Sequence, residues 1–192
     1  MHRGVFGGSF DPPHVGHVGV ATAAGAALDL GVVHLIPTYR QPFKHESHVA
    51  NGEQRAEMVR LAVAGSERLI VDERELRRGG TSYTVDTLEE LRRIYPADEL
   101  TLLVGADTAA DLPSWYRAER LPELANIVVL TRPGAEVPRH PMLLRSVNVP
   151  AFDVSATEIR ERVGRGESLA GLVAEPVEAY IVAHRLYQQE TR

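Results

Sequence analysis

Gly4-Val5-Phe6-Gly7-Gly8-Ser9-Phe10-Asp11-Pro12-Pro13-His14-Val15-Gly16-His17 runs from a short apolar segment through paired glycines into a stretch with helical spacing. A strand that turns through glycines directly into a helix is the opening unit of an open α/β sheet, and the junction lies at the carboxyl end of the strand, where such sheets bind ligands. Glycine lets the backbone approach an anion closely, and the helix start supplies unpaired amides and the positive end of a dipole. The segment predicts a phosphate cradle. His14 and His17 are expected to project from one face of the helix toward it, and Gly16 between them leaves out a side chain that would crowd a ligand. Their chemistry would be hydrogen-bond donation to phosphoryl oxygens as charge redistributes in a transition state. Taken singly, paired glycines are only a turn and two histidines only decorate a helix; it is their combination that is specific. A zinc site is the weaker reading, since no convincing third ligand or supporting carboxylate accompanies the histidines. The absence of GxxxxGK(S/T) and of GxGxxG points away from a P-loop kinase and a dinucleotide-binding dehydrogenase.

Outward from this unit, β-prone runs at 4–6, 32–36, 68–71, 100–104, 127–130 and 146–149 alternate with helical patterns at 14–30, 53–64, 84–95 and 115–124. Apolar strands separated by helices imply a parallel sheet covered on both faces, so the fold class is α/β, a Rossmann-like doubly wound sheet. Further helices at 155–163 and 176–186 predict a small C-terminal helical subdomain, giving one domain over 1–192 with a core at about 1–150 and the subdomain at about 151–192. Gly31 is expected to close the first helix, Asn51 to cap the second, Ser82 or Thr84 to cap the third, and Pro96 to end it. The connection 38–50 is long for such a domain, which marks it as a functional loop.

The chain of 192 residues, 44% apolar and 24% charged, is long enough for a substantial core and ordinary for a globular protein. A net charge of −5 argues against non-specific nucleic-acid binding, which needs a basic face. Without cysteine there is no disulfide framework, thiolate metal site or cysteine nucleophile, a composition that fits a reducing, cytoplasmic setting. The amino terminus lacks the layout of a signal peptide, and the weakly polar stretch 15–37 is interrupted by His17, Asp29 and His34, so no membrane span is expected. Association into a homo-oligomer is left open.

Ser155-Ala156-Thr157-Glu158-Ile159-Arg160 reads as a capping box, with Ser155 as N-cap and Glu158 returning to its amide. Two hydroxyls and an arginine about one turn in also make an anion site, and both readings can hold. Together, the segment Gly7 to His17 and this run resemble the two signature motifs of the HxGH nucleotidyltransferase superfamily. The resemblance implies that Gly7, Gly8, Ser9, Phe10, His14 and His17 bind the ATP phosphates in a strand–loop–helix unit, and that Ser155, Thr157 and Arg160 close on the β- and γ-phosphates. His14, His17 and Arg160 would be the catalytic residues.

The middle of the chain resembles nicotinate mononucleotide adenylyltransferases in Gln41-Pro42-Phe43-Lys44, Ser82-Tyr83-Thr84 with Asp86-Thr87-Leu88, Gly105-Ala106-Asp107 with Leu112-Pro113-Ser114-Trp115-Tyr116, and Arg132-Pro133-Gly134. Ser82, Tyr83 and Thr84 open a helix, and exposed amides there suit a carboxylate, though an ordinary cap looks the same. Trp115, the only tryptophan, either stacks on a pyridine ring or packs in the core. Gly105 and Asp107 end a strand where ribose hydroxyls would sit, and Asp107 could equally cap a short helix. Lys44 and Arg132 are the candidate cations for the mononucleotide phosphate, with solvated surface charge as the alternative. Phe43 stands where the family commonly has histidine, so either Lys44 or His45 is left for that contact. The implied reaction is in-line attack of the nicotinate mononucleotide phosphate on the α-phosphorus of ATP, with Mg²⁺ held mainly by the ATP phosphates and no dedicated protein metal site. Competing readings are a phosphopantetheine or nicotinamide mononucleotide adenylyltransferase and a non-catalytic nucleotide-binding module.

Overall fold

The computed structural model describes residues 1–42, 48–132 and 140–188. Six strands, β1 (His2–Gly8), β2 (Val32–Pro37), β3 (Leu69–Val71), β4 (Glu99–Gly105), β5 (Asn126–Thr131) and β6 (Arg145–Asn148), form one sheet in the order β3-β2-β1-β4-β5-β6. Every pairing is parallel. The helices among the described residues are α1 (Val15–Ala27), α2 (Gly52–Ala62), α3 (Arg74–Arg78), α4 (Thr84–Ile94), α5 (Ala106–Ala110), α6 (Leu121–Leu124), α7 (Ala156–Gly164) and α8 (Glu175–Ala183). This is the doubly wound α/β fold expected. The strand order reverses between β1 and β4, which opens a crevice at their carboxyl ends.

Alternation along each strand divides the core in two. Val33, Leu35, Leu103, Val128 and Leu130 pack with Ala21 and Ala24 of α1 and Val59 of α2 on one face. Val5, Ile36, Leu102, Val104 and Val129 pack with Val85, Leu88 and Leu91 of α4 on the other. A third cluster joins Ile159 of α7 and Val177 and Ile181 of α8 to Ala50 and Met58, so the C-terminal helices share their core with α2. No helix of the described residues is long and apolar enough to cross a membrane.

Several boundaries differ from expectation. α1 stops at Ala27 because Asp29, not Gly31, takes the left-handed conformation (φ 50°), and Leu30 N–H then reaches Gly25 O at 2.9 Å. That closure satisfies an orphan carbonyl without glycine, and Asp tolerates the backbone better than most residues. Arg185 (φ 51°) closes α8 in the same way, short of the expected 186. Asn51 caps α2 as predicted, in a reciprocal box with Gln54. The N-cap of α4 is Tyr83, and the Ser82 hydroxyl instead accepts the Tyr39 N–H at 2.9 Å. The stretch 115–124 is not one helix: turns at Leu112–Ser114 and Ala118–Arg120 precede α6, with Arg117 left-handed (φ 52°) between them. Short α3 and α5 were not anticipated, since five residues carry no helical period to read.

Candidate active site

Two cavities open on the crevice, of about 340 and 550 Å³, and both are lined by Phe6, His17, Gly105 and Asp107. The first runs from the start of α1 to the segment before α7, walled by His14, Gly16, Arg132, Phe152 and Val154. The second runs across β1 to α4, walled by Gly7, Gly8, Ser82, Tyr83, Thr84 and Trp115. His17 therefore stands where the two compartments meet.

The β1–α1 turn places the histidines with little freedom. His14 is the N-cap of α1 and its ring stacks on that of His17, centroids 3.7 Å apart. His17 Nδ1 accepts the His14 backbone N–H at 3.2 Å, which leaves the ring proton on Nε2 as a donor. Burial lowers the His14 pKa to about 4; burial, joined by the neighbouring His14, lowers that of His17 to about 3. Both imidazoles are neutral at physiological pH. The His14 Nδ1 is buried without a hydrogen-bond partner.

Gly16 lines the first cavity and also makes room for the histidine, because a Cβ there would stand 3.0 Å from His14 Nδ1 and 3.2 Å from Val154. Gly7 faces open space in the second cavity, whereas a Cβ on Gly8 would press on the Phe10 ring at 3.0 Å. Phe10 is 1% exposed, in the core, where its ring props the His17 ring edge-on at 5.0 Å. Its left-handed backbone (φ 49°) turns the chain from β1 toward α1.

The second motif meets the first across 149 residues: Arg160 Nη1 donates to Asp11 O at 2.8 Å, and Nη2 to Thr157 Oγ1 at 3.3 Å. Ser155 caps α7 by accepting the Glu158 N–H, but Glu158 pairs with Arg162 instead of returning the bond. Ser9, Ser155, Thr157 and Arg160 line neither cavity. Of the residues expected around the acceptor, Ser82, Tyr83, Thr84 and Trp115 gather in the second cavity. Arg132 does not: it follows β5, beyond β4 from β1, and lines the first cavity with His14. Lys44, with Phe43 and His45, lies outside the described residues, as do Pro133 and Gly134. Trp115 is half-buried, packed on the core and open to the cavity, so both sequence readings describe part of it.

Sequence reasoning missed the residues that brace the site. Arg55 of α2 is 1% exposed and donates to the carbonyls of Ser9 (2.6 Å), Thr38 (2.7 Å) and Ala50 (3.3 Å). Asp11 accepts the Val49 and Ala50 N–H groups at 2.7 and 3.1 Å and the Tyr187 hydroxyl at 2.7 Å. Burial pushes the Arg55 pKa down against the pull of Asp11 and Tyr187, and burial with Asp11 pushes the Tyr187 pKa up. Gly19 was also missed. A Cβ there would run into the Phe152 ring, whose Cζ end meets α1 and which forms part of the first cavity's wall. No local signal sets Arg55 apart, because Arg60 of the same helix also stands beside a buried residue, Val59, and is exposed.

A strand–loop–helix phosphate unit, a returning arginine and paired cavities at the switch point define a nucleotidyltransferase, and the pattern of the Cytidylyltransferase-like family matches residues 5–162. Over 188 residues, 98% of this chain and 100% of the relative, the sequence is 45% identical to a probable nicotinate-nucleotide adenylyltransferase of Thermus thermophilus. It is 40% identical over 188 residues to that of Geobacillus thermodenitrificans, covering 98% of this chain and 87% of the relative. The chain belongs to the nicotinate-nucleotide adenylyltransferase family. In fold it is similar to the nicotinic acid mononucleotide adenylyltransferase of Plasmodium falciparum complexed with NaAD, at a TM-score of 0.78, 17% identity and 97% coverage of each chain.

Proposed function

We propose that this protein transfers the adenylyl group of ATP to nicotinate mononucleotide, releasing pyrophosphate and forming nicotinate adenine dinucleotide, in the cytoplasm. The observation that carries this is the meeting of the two cavities at His17, one walled by α1, Arg132 and Phe152, the other by α4 and Trp115; in this reading the first takes ATP and the second the acceptor. An acceptor phosphate oxygen attacks the α-phosphorus in line, a new P–O bond forms, and the bond to the β-phosphate breaks, its electron pair leaving with pyrophosphate. No protein nucleophile takes part.

Catalysis is alignment and charge stabilisation. The His17 Nε2–H, the His14 ring and the Gly16 N–H donate to phosphoryl oxygens, the Val15 and His17 amides being held by Leu172 O and His14 O, and Arg160, hydrogen-bonded to Asp11 O, would turn from that carbonyl to meet the leaving phosphates. Arg132 joins the ATP side, and Ser9 contributes backbone only, its carbonyl held by Arg55. Among the described residues no group of three or more His, Asp or Glu is placed to hold a metal. Mg²⁺ bound through the ATP phosphates would offset their charge.

Pyrophosphate release, measured with ATP and a panel of acceptors, tests the reading. Nicotinate mononucleotide is expected to exceed its amide by at least about tenfold in kcat/KM, because the α4 amides match a carboxylate better than a carboxamide. Equal use of both, or preference for phosphopantetheine, would overturn it.

Trp115→Ala tests the acceptor wall. The KM for nicotinate mononucleotide should rise by one to two decades, about 1–3 kcal/mol of lost stacking, with little change in the KM for ATP. A large fall in melting temperature with an unchanged acceptor KM would make the indole a core residue only.

A further inference from the structure

Behind the α4 end of the second cavity lies a carboxyl group with no part in the reaction as described. Glu75 of α3 is 5% exposed and lines that cavity. Its Oε1 accepts the Thr87 hydroxyl at 2.6 Å, and Thr87 in turn accepts from Arg78 at 3.1 Å. Its Oε2 is buried with no hydrogen-bond partner of ordinary geometry. A carboxylate with one oxygen so placed bears the full cost of desolvation, whereas the neutral acid bears far less. The surrounding charges do not cancel it: Asp72 is bound by Arg74, Arg78 by Glu90, and Asp107, Asp111 and His17 line the cavity.

The position matters because of what α4 presents. The helix begins at Thr84 with Tyr83 as N-cap and no side chain capping it, so its first amides stay open beside the cavity, and Asp86, the acidic residue of its first turn, lies outside the cavity lining. A negative charge on Glu75, set beside Ser82 and Thr87 in the same wall, would neutralise that end. It would also repel an anionic ring substituent.

We propose that Glu75 is a specificity-determining positioning residue for the acceptor: as the neutral acid it leaves the α4 start positive and the cavity selective for a carboxylate-bearing pyridine, and as the carboxylate it abolishes that preference. This rests on the function proposed above. Burial raises the Glu75 pKa, against the Thr87 hydrogen bond, a weaker pull from the Ser82 hydroxyl and the charge of Arg78, with Asp72 adding to the rise. The neutral form is therefore kept to higher pH than for an ordinary glutamate. Acid preference is present below the Glu75 pKa and lost as pH rises through it.

The test is the ratio of kcat/KM for nicotinate over nicotinamide mononucleotide, followed from the ordinary carboxylate range upward in pH. The ribose phosphate is common to both acceptors, so its titration cancels. For the native enzyme the ratio is expected to fall by about tenfold as Glu75 ionises, through KM for the acid rather than kcat. Glu75→Gln keeps an acceptor for Thr87 and cannot ionise, so its ratio should stay at the high plateau at every pH. A flat native profile, with both acceptors used, overturns the proposal while leaving adenylyl transfer intact, and needs no folded variant. A Glu75→Gln enzyme that is folded and retains the native slope overturns it equally. Failure of both mononucleotides to release pyrophosphate overturns the functional reading itself, and this one with it.

Discussion

His17→Ala is expected to lower kcat by roughly 10²–10³, the loss that follows removal of one preorganised donor from a transition state. The ring lies at the junction of both cavities, its Nδ1 is fixed by the His14 amide, and Phe10 supports its edge. The donor therefore needs no reorganisation when charge moves onto the phosphoryl oxygens. His14→Ala should cost a similar factor, because each ring also holds the other by stacking, and the double variant should fall short of the product of the two. Single-turnover pyrophosphate release, with circular dichroism to verify folding, measures the effect; near-native turnover in both variants would remove the site. A second readout separates chemistry from packing. Because burial lowers His17 from 6.5 to about 3, the unfolded chain takes up a proton that the folded protein refuses in that window. The native protein thus loses stability as pH falls below 6.5, and His17→Ala should soften that acid sensitivity.

The second large effect is structural. Arg55→Leu should destabilise the protein by about 3–5 kcal/mol, the usual result of removing one partner from a buried ionic network. The guanidinium satisfies three carbonyls from Ser9, Thr38 and Ala50, and its loss leaves them, together with the Asp11 carboxylate, short of positive charge. Ser9 belongs to the phosphate loop, so the surviving folded enzyme should also show a raised KM for ATP. Arg55→Lys keeps the charge but cannot span three acceptors, and should fall between the two. Urea unfolding gives the number. A loss below about 1 kcal/mol would mean that water takes the place of the guanidinium, and that the loop does not depend on it.

The sequence by itself determined whatever depends on local pattern. The inner strands β2, β4 and β5 are where their apolar runs are, since a strand buried on both faces must be largely apolar, whereas the edge strand β6 is polar and mostly exposed; the cradle, the Asn51 cap and the Ser155 cap lie within a few residues of chain. The two phosphate motifs were legible because each is short and chemically unusual. Tertiary structure decided what depends on distant partners. Asp29 closes α1 where glycine was expected because the turn must bring Leu30 back into the core, and Ser82 is taken from α4 by Tyr39, 43 residues away. Phe10 went to the core, Arg132 to the other cavity, and Arg55, Asp11 and Tyr187 met across the fold, none of which a neighbouring residue could signal. The unpartnered oxygen of Glu75 is of the same kind. A buried carboxyl has its chemistry set by the absence of partners, and that absence exists only once the helices around it have packed.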